Sequence, residues 1–274
     1  MRNVILKSGQ EMPLLGLGTW QLTGNKCTEA VKNALEFGYR HIDTADAYNN
    51  HREIAAALAE GIVDRDKLFI TSKARRDLLS YNDVLSSGDR ILDELGIEYL
   101  DLLLIHWPNK RIPLKETLEA LTELKEQRKT RNIGVSNFTL NHLKDALEFY
   151  PDLISINQVE FHPYLYQKEL LEFCRAHDIV ITAYSPLARG KVFKDSQIKA
   201  LAEKYDQSPA RLVLRWLVEK EIVVIPKASS VEHLRDNLDI FDWEMPARVV
   251  EVLDGLNEDY RIIAPPFNEF DYKG

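Results

Sequence analysis

The chain has 274 residues, 45% of them hydrophobic and 28% charged, which suits one soluble domain with a large core and lies near the roughly 250 residues of an αβ barrel. Its 35 basic and 43 acidic residues leave a net charge of −8, which disfavours nonspecific nucleic-acid binding, and no charge block is long enough to be a tail. Its two cysteines, Cys27 and Cys174, make no disulfide framework, and the lack of a signal-peptide core or a long apolar run sets a cytoplasmic expectation with no membrane contact.

The first predicted element is a β-hairpin: Val4 to Lys7, a turn at Ser8-Gly9-Gln10, then Met12 to Leu15, suited to closing the bottom of a barrel. Eight strand-like runs follow, near residues 14–18, 40–43, 68–72, 101–105, 132–135, 154–158, 179–183 and 222–225. Their short apolar, β-branched character suits strands covered on both faces. Segments of helical period lie between them. Thr28 is predicted to cap a helix carrying Ala30, Val31, Ala34 and Leu35, stopped by Gly38. Pro113 suits the first turn of a helix with Leu114, Leu118, Leu121 and Leu124 on one stripe, and Thr139 caps another with Leu143, Ala146 and Leu147 inward. Helices near 208–219 and 246–256 read as additions, and the aromatic tail from Ile262 to Gly274 as a cover for the barrel mouth.

Unbroken strand–helix alternation predicts a single domain over residues 1–274: an α/β chain folded as a (β/α)8 TIM barrel with an N-terminal β-hairpin and two additional helices. A doubly wound sheet is the competing architecture. It calls for Gly-x-Gly-x-x-Gly after the first strand, which Gly16-Leu-Gly18-Thr-Trp-Gln does not complete.

Four polar residues at or just past strand ends carry the chemistry: Asp43, Tyr48, Lys73 and His106. In a parallel barrel such ends converge on one face. A phenol has an ordinary pKa of ~10; a nearby ammonium lowers it, and a carboxylate beyond keeps the ammonium charged. The imidazole can orient the same substrate oxygen. Together they can protonate a carbonyl. The plainer reading is a structural Lys–Asp pair beside two ordinary loop residues, and it suits any one of them taken singly.

Six stretches in order widen the signal: Met12-Pro-Leu-Leu-Gly-Leu-Gly-Thr-Trp20, Gly38-Tyr-Arg-His-Ile-Asp-Thr-Ala45, Leu100-Asp-Leu-Leu-Leu-Ile-His-Trp-Pro108, Gly134-Val-Ser-Asn-Phe138, Asn157-Gln-Val-Glu-Phe-His-Pro163 and Val223-Val-Ile-Pro-Lys227. Across nearly its whole length the chain resembles the aldo-keto reductases, most closely the short bacterial type of the 2,5-diketogluconate and glyoxal reductases. The resemblance implies an NAD(P)H-dependent oxidoreductase that reduces aldehydes or ketones to alcohols, with Tyr48 as general acid, Lys73 and Asp43 as its tuning pair and His106 orienting the carbonyl. It implies NADPH as cofactor, with use of NADH expected too, a small carbonyl substrate and a monomer.

The same resemblance places Ser136, Asn137 and Gln158 on the nicotinamide carboxamide, Tyr184 on the face of its ring, and Ser185 and Leu187 at the pyrophosphate. Lys227, Ser229, Ser230, His233, Asp236 and Asn237 fall at the adenosine end, and Thr19 and Trp20 also border the cofactor. Trp20 and Trp107 are expected in the substrate-pocket wall. Arg75 joins them, because Ala74-Arg75-Arg76 stands where the family often has an aromatic pair. A guanidinium there, from Arg75 or Arg76, predicts a taste for carbonyls bearing a carboxylate or several hydroxyls, and the plainer reading is that both arginines turn to solvent beside Asp77. Further departures are His51, where a glutamate is usual, and Ala228 and His233, which replace a serine and an arginine common at the adenosine phosphate.

No metal is expected, since the seven histidines form no His-Glu-x-x-His or comparable cluster, and His162 reads as a hydrogen-bonded structural residue. The alternative functional class is a cofactor-binding regulatory module of the potassium-channel β-subunit type, which shares this barrel; the short chain suits the free enzymes better.

Overall fold

The computed structural model describes residues 2–274. Two short antiparallel strands, β1 (Asn3–Ile5) and β2 (Glu11–Pro13), form the predicted hairpin. Eight parallel strands follow: β3 (Leu17–Gly18), β4 (His41–Asp43), β5 (Phe69–Ala74), β6 (Leu100–Ile105), β7 (Thr130–Ser136), β8 (Ile154–Glu160), β9 (Val180–Tyr184) and β10 (Val223–Val224). Each bonds to the next in chain order, and a parallel bridge between Leu15 and Val224 joins the two ends. At that seam the Gly16 N–H donates to Val224 O at 2.9 Å and the Val224 N–H to Leu14 O at 2.8 Å. The sheet is therefore the expected closed barrel. Gly18 is required beside the seam, because a Cβ there would meet Ile225 O at 2.5 Å.

The strands are buried almost throughout because both faces are covered, the inner by the barrel's own filling and the outer by helices. α1 (Gly24–Phe37), α2 (His51–Leu58), α3 (Tyr81–Leu95), α4 (Leu114–Glu126), α5 (Leu140–Phe149) and α6 (Lys168–Ala176) each return the chain to the next strand. α1 buries Cys27, Ala30, Val31, Ala34 and Leu35 on one stripe. A fully buried Val or Leu adds roughly 1.5–3 kcal/mol. The helix stops at Gly38, whose φ of 108° frees its N–H to reach the Ala34 and Leu35 carbonyls. Its start differs from expectation. Thr23, not Thr28, is the N-cap residue, and Thr28 lies inside the helix with its hydroxyl on Glu53 O at 3.0 Å. Thr139 does cap α5, in a reciprocal capping box with His142.

α7 (Ser196–Lys204) and α8 (Pro209–Glu219) share the connection from β9 to β10, and α9 (Val231–Leu238) and α10 (Ala247–Asp254) follow the last strand. Of the pair, α8 packs on β10 and is buried from Leu212 to Val218, whereas α7 rests on α8 and on the turn at 188–193. The addition before β10 is thus α7 rather than the 208–219 helix. Among the described residues no helix is long and apolar enough to cross a membrane.

Below the barrel, Gln10 of the hairpin turn donates to Asp101 Oδ1 at 2.8 Å and accepts from Asn132 Nδ2 at 2.7 Å. Asp101 and Asn132 lie near the amino ends of β6 and β7, so the hairpin sits under the barrel as its floor. The opposite, carboxyl-end face carries the tail. The N–H groups of Ile262 and Ile263 donate to Glu160 Oε1 and Oε2, and Glu269 takes Arg76 Nη2 and the Lys110 N–H, each at 3.0 Å.

Candidate active site

β4 ends at Asp43 and β5 carries Lys73, and side by side these strands put a carboxylate and an ammonium together beneath the mouth. Lys73 Nζ lies 2.5 Å from Asp43 Oδ1 and 2.7 Å from Thr44 O, and both side chains are buried. Asp43 Oδ2 accepts from Gln158 Nε2 at 2.6 Å. Burial presses Lys73 down and Asp43 up, each toward its neutral form, and their close contact opposes this in both.

Tyr48 closes a turn of 3-10 helix over residues 46–48, just past β4. Its ring meets the His106 ring edge-on, with centroids 5.6 Å apart and an interplanar angle of 77°. The Lys73 ammonium faces the Tyr48 ring at 5.1 Å from the centroid. The four predicted residues are therefore one cluster. One expectation about it changes: burial first, and then the Asp43 charge, push the Tyr48 phenol up rather than down. Lys73 spends its hydrogen bonds on Asp43 and Thr44. His106 is held down at about 3, by burial and then by Lys73, so its ring is neutral at physiological pH.

Above this cluster opens a cleft of about 1140 Å³ at the carboxyl ends of the strands. It runs from Asp43, Tyr48 and His106 past Ser136, Gln158 and Tyr184 to Lys227 and His233. Tyr184 Oη donates to Asn137 Oδ1 at 2.7 Å, and Asn137 Nδ2 donates to His106 O and to Ser136 Oγ. Asn137 and Ser185 hold φ of 63° and 48°, left-handed values uncommon in residues with a side chain and concentrated at functional sites.

Comparison with known proteins matches both the sequence and the barrel. Residues 14–258 fit the sequence model described as the Aldo/keto reductase family. The chain belongs to the aldo/keto reductase family. It is 41% identical over 260 residues to the glyoxal reductase of Bacillus subtilis strain 168, covering 94% of each chain. An aldo-keto reductase from a Medee basin deep-sea metagenome library has a similar structure, with a TM-score of 0.94, 35% identity and 99% of each chain covered. So does a Bombyx mori aldo-keto reductase in complex with NADP, at a TM-score of 0.91, 28% identity and 98% coverage of each chain.

In this aldo/keto reductase chain the expected cofactor residues divide. Thr19, Trp20, Ser136, Asn137, Gln158, Tyr184, Ser185, Leu187, Lys227, His233, Asp236 and Asn237 line the cleft. Ser229 and Ser230 do not. Ser230 caps α9, its hydroxyl accepting from the His233 N–H, and Ser229 is exposed. Asn137 has both amide hydrogens occupied within the protein, which leaves a lone pair on Oδ1 for a ligand. Arg235 turns away to the Phe37 ring of α1, 4.7 Å from its centroid.

Trp20 and Trp107 line the cleft, but Arg75 stands outside it. Its Nε and Nη2 fork onto Asp77, at 3.1 and 3.0 Å, on an exposed loop. A partner two residues away holds the guanidinium more readily than a pocket across the barrel rim. Arg76 is also committed, to Pro108 O and Glu269, and it faces the Phe267 ring. Phe267, from the tail expected over the mouth, and Arg189, which nothing in the sequence singled out, also line the cleft. Phe267 meets Trp107 edge-on at 5.5 Å, and Arg189 lies over the Trp20 ring at 4.9 Å. The aromatic tail signalled the first; Arg189, in a run of left-handed residues, had no signal of its own.

His162 is wholly buried, with Nε2 2.9 Å from Glu160 Oε1, in the structural role expected for it. One group, Asp46, His51 and Glu94, brings metal-type ligand atoms within 4.8 Å of one another. Arg90 grips both Asp46 oxygens, at 2.6 and 2.8 Å, so a cation already occupies that carboxylate.

Proposed function

We propose that the protein reduces an aldehyde or ketone to an alcohol with NADPH, Tyr48 being the proton donor. The observation that carries this reading is the buried Lys73–Asp43 pair set against Tyr48 and His106 at the inner end of the cleft.

The cleft fits a dinucleotide on two grounds. Tyr184 and Ser136 at its centre and Lys227 and His233 at its far end line one continuous space. Gln158 gives its amide nitrogen to Asp43, which leaves its oxygen as acceptor for a carboxamide. Ser136, Asn137, Gln158 and Tyr184 would hold the nicotinamide, Ser185 and Leu187 the pyrophosphate, and Lys227, His233, Asp236 and Asn237 the adenosine end. When bound, the reduced cofactor supplies hydride.

This chain's residues supply the rest. Tyr48 keeps its Oη proton at neutral pH and releases it to the carbonyl oxygen as negative charge grows there. The Lys73 ammonium lies close enough to stabilise the phenolate left behind, and Asp43 holds that ammonium charged. The neutral His106 ring offers one N–H to the same oxygen and so fixes the carbonyl's orientation. Trp20, Trp107 and Phe267 give the cleft wall an apolar surface.

The test is oxidation of NADPH by the purified protein with 4-nitrobenzaldehyde and a panel of other carbonyls. Turnover is expected, and none across the panel overturns the reductase reading. Tyr48→Phe should lower kcat by about 10²–10⁴-fold with cofactor affinity nearly unchanged. A Tyr48→Phe protein with wild-type kcat removes Tyr48 from the acid role.

A further inference from the structure

Behind the barrel wall, on the side away from the cleft, a buried imidazole touches the segments that carry Tyr48 and Lys73. His51 opens α2 three residues after Tyr48, and its side chain is almost completely enclosed. Nδ1 lies 2.9 Å from Glu94 Oε2 on α3, and Nε2 lies 3.1 Å from Ser72 Oγ on β5. Ser72 precedes Lys73, and residues alternate along a strand, so Ser72 faces the helices while Lys73 faces the mouth. On the same side, Arg90 of α3 forks onto Asp46, the residue that starts the turn ending at Tyr48. One face of α3 thus holds both the proton-donor turn and, through the imidazole, the ammonium-bearing strand.

We propose that His51 is a positioning residue for carbonyl reduction, setting with Glu94 and Ser72 how the Tyr48 turn sits against the Lys73 strand. This rests on the reductase reading above. The neutral ring serves both contacts at once: Nδ1–H donates to Glu94 and the Nε2 lone pair accepts from the Ser72 hydroxyl. A second proton on Nε2 turns that acceptor into a donor, so the Ser72 hydroxyl must rotate, and it places a cation beside Arg90. The charged groups facing the ring are Glu94 and Arg90 from α3 and Asp46 from the turn; β5 presents Ser72, and α1 meets α2 at Glu53. Burial holds the ring toward its neutral form, against the pull of Glu94. Turnover therefore has an acid limb set by His51.

Three variants test this, with kcat measured against pH at saturating NADPH and cofactor affinity read by tryptophan quenching. His51→Leu should lower kcat roughly ten- to a hundredfold, the scale of a small misplacement of reacting groups, while cofactor affinity stays unchanged. His51→Gln, whose amide can donate to Glu94 and accept from Ser72 without titrating, should restore most of kcat and flatten the acid limb. Glu94→Gln removes the charge favouring the protonated ring and should move the acid limb to lower pH. A folded His51→Leu protein with wild-type kcat and pH profile overturns the proposal, as does an unmoved limb in Glu94→Gln should His51→Leu fail to fold. Nitrogen chemical shifts of the His51 ring and proton shifts of the Tyr48 ring need no turnover. If the wild type reduces no carbonyl, the reductase reading fails, yet unchanged Tyr48 shifts in His51→Leu, or an unshifted ring titration in Glu94→Gln, still refute the coupling.

Discussion

Gln158 Nε2 donates to Asp43 Oδ2 at 2.6 Å, from a residue 115 positions further along the chain. The carboxylate is thereby divided: one oxygen serves the Lys73 ammonium and the other ties β4 to β8 across the barrel interior. The residue expected at the nicotinamide and the residue expected to tune the acid are one hydrogen-bonded unit.

Removing Asp43 separates stability from catalysis. Asp43→Ala leaves the buried Lys73 ammonium with Thr44 O, and losing one partner of a buried pair costs about 3–5 kcal/mol. Denaturant melts should show a loss of that order. Adding Lys73→Met should recover part of it, since the stranded charge is gone, while turnover stays low. A double variant no more stable than Asp43→Ala contradicts this account.

The adenosine end predicts weak discrimination between the two nicotinamide cofactors. Lys227 lines that end of the cleft together with Glu232, His233 and Asp236, and in the proposed site His233 takes the place of a guanidinium that would grip a phosphate through two bonds. NADPH should be preferred with NADH measurably used. His233→Arg should tighten NADPH by roughly ten- to a hundredfold, the worth of one charged hydrogen bond, and leave NADH nearly unchanged. Equal NADPH affinity in the two proteins would place His233 away from the phosphate.

Charge selectivity should not depend on Arg75. Its fork onto Asp77 keeps it out of the cleft, so Arg75→Ala should leave the kcat/KM ratio between a keto acid and an uncharged analogue unchanged. Arg76→Ala, by contrast, frees Glu269 and the Phe267 wall from the rim, and should raise KM for aromatic aldehydes. A shift in the keto-acid ratio for Arg75→Ala would return that residue to the pocket.

His41 predicts acid lability. It is fully buried, with Nε2 3.2 Å from Thr71 Oγ1, and burial followed by the Lys73 charge holds it down at about 3. In the unfolded chain a histidine titrates near ~6.5, so between those values the unfolded state binds a proton that the folded state refuses. The stability due to the neutral ring is complete above about pH 6.5 and is lost as pH falls toward 3. Between pH 6 and 4, His41→Asn should flatten the slope of unfolding free energy by about 1.4 kcal/mol per pH unit, one proton's worth. An unaltered slope would mean the ring is protonated in the fold.

The barrel was legible because strands such as Leu100–Ile105 are apolar at nearly every position, a pattern that only a doubly covered sheet requires. Asp43, Lys73 and His106 were legible because each breaks or ends such a run. α7 was not: it buries Ile198 and Ala202 and leans on another helix, so its stripe is too thin to read. Thr28 misled because a hydroxyl capping a helix and a hydroxyl bonded to a neighbouring helix, as on Glu53 O, look alike in sequence. Arg75 and Asp77 show the same limit at the site, since a guanidinium written beside a pocket does not say which way it turns. The direction of the Tyr48 shift was missed because it depends on enclosure, which only the packed ring reveals.

The barrel's closing seam is its narrowest joint: β3 and β10 have two residues each, and the bridge between Leu15 and Val224 spans most of the chain. Such long-range pairing is intrinsically slow to form, because it carries the entropy of closing a very large loop. The cleft straddles this joint, with Gly18 and Thr19 on one bank and Ile225 and Lys227 on the other. A dinucleotide bound in the cleft as proposed would span both banks and so act as a stitch through this edge. By linkage, cofactor that binds only the closed barrel would then stabilise it against unfolding.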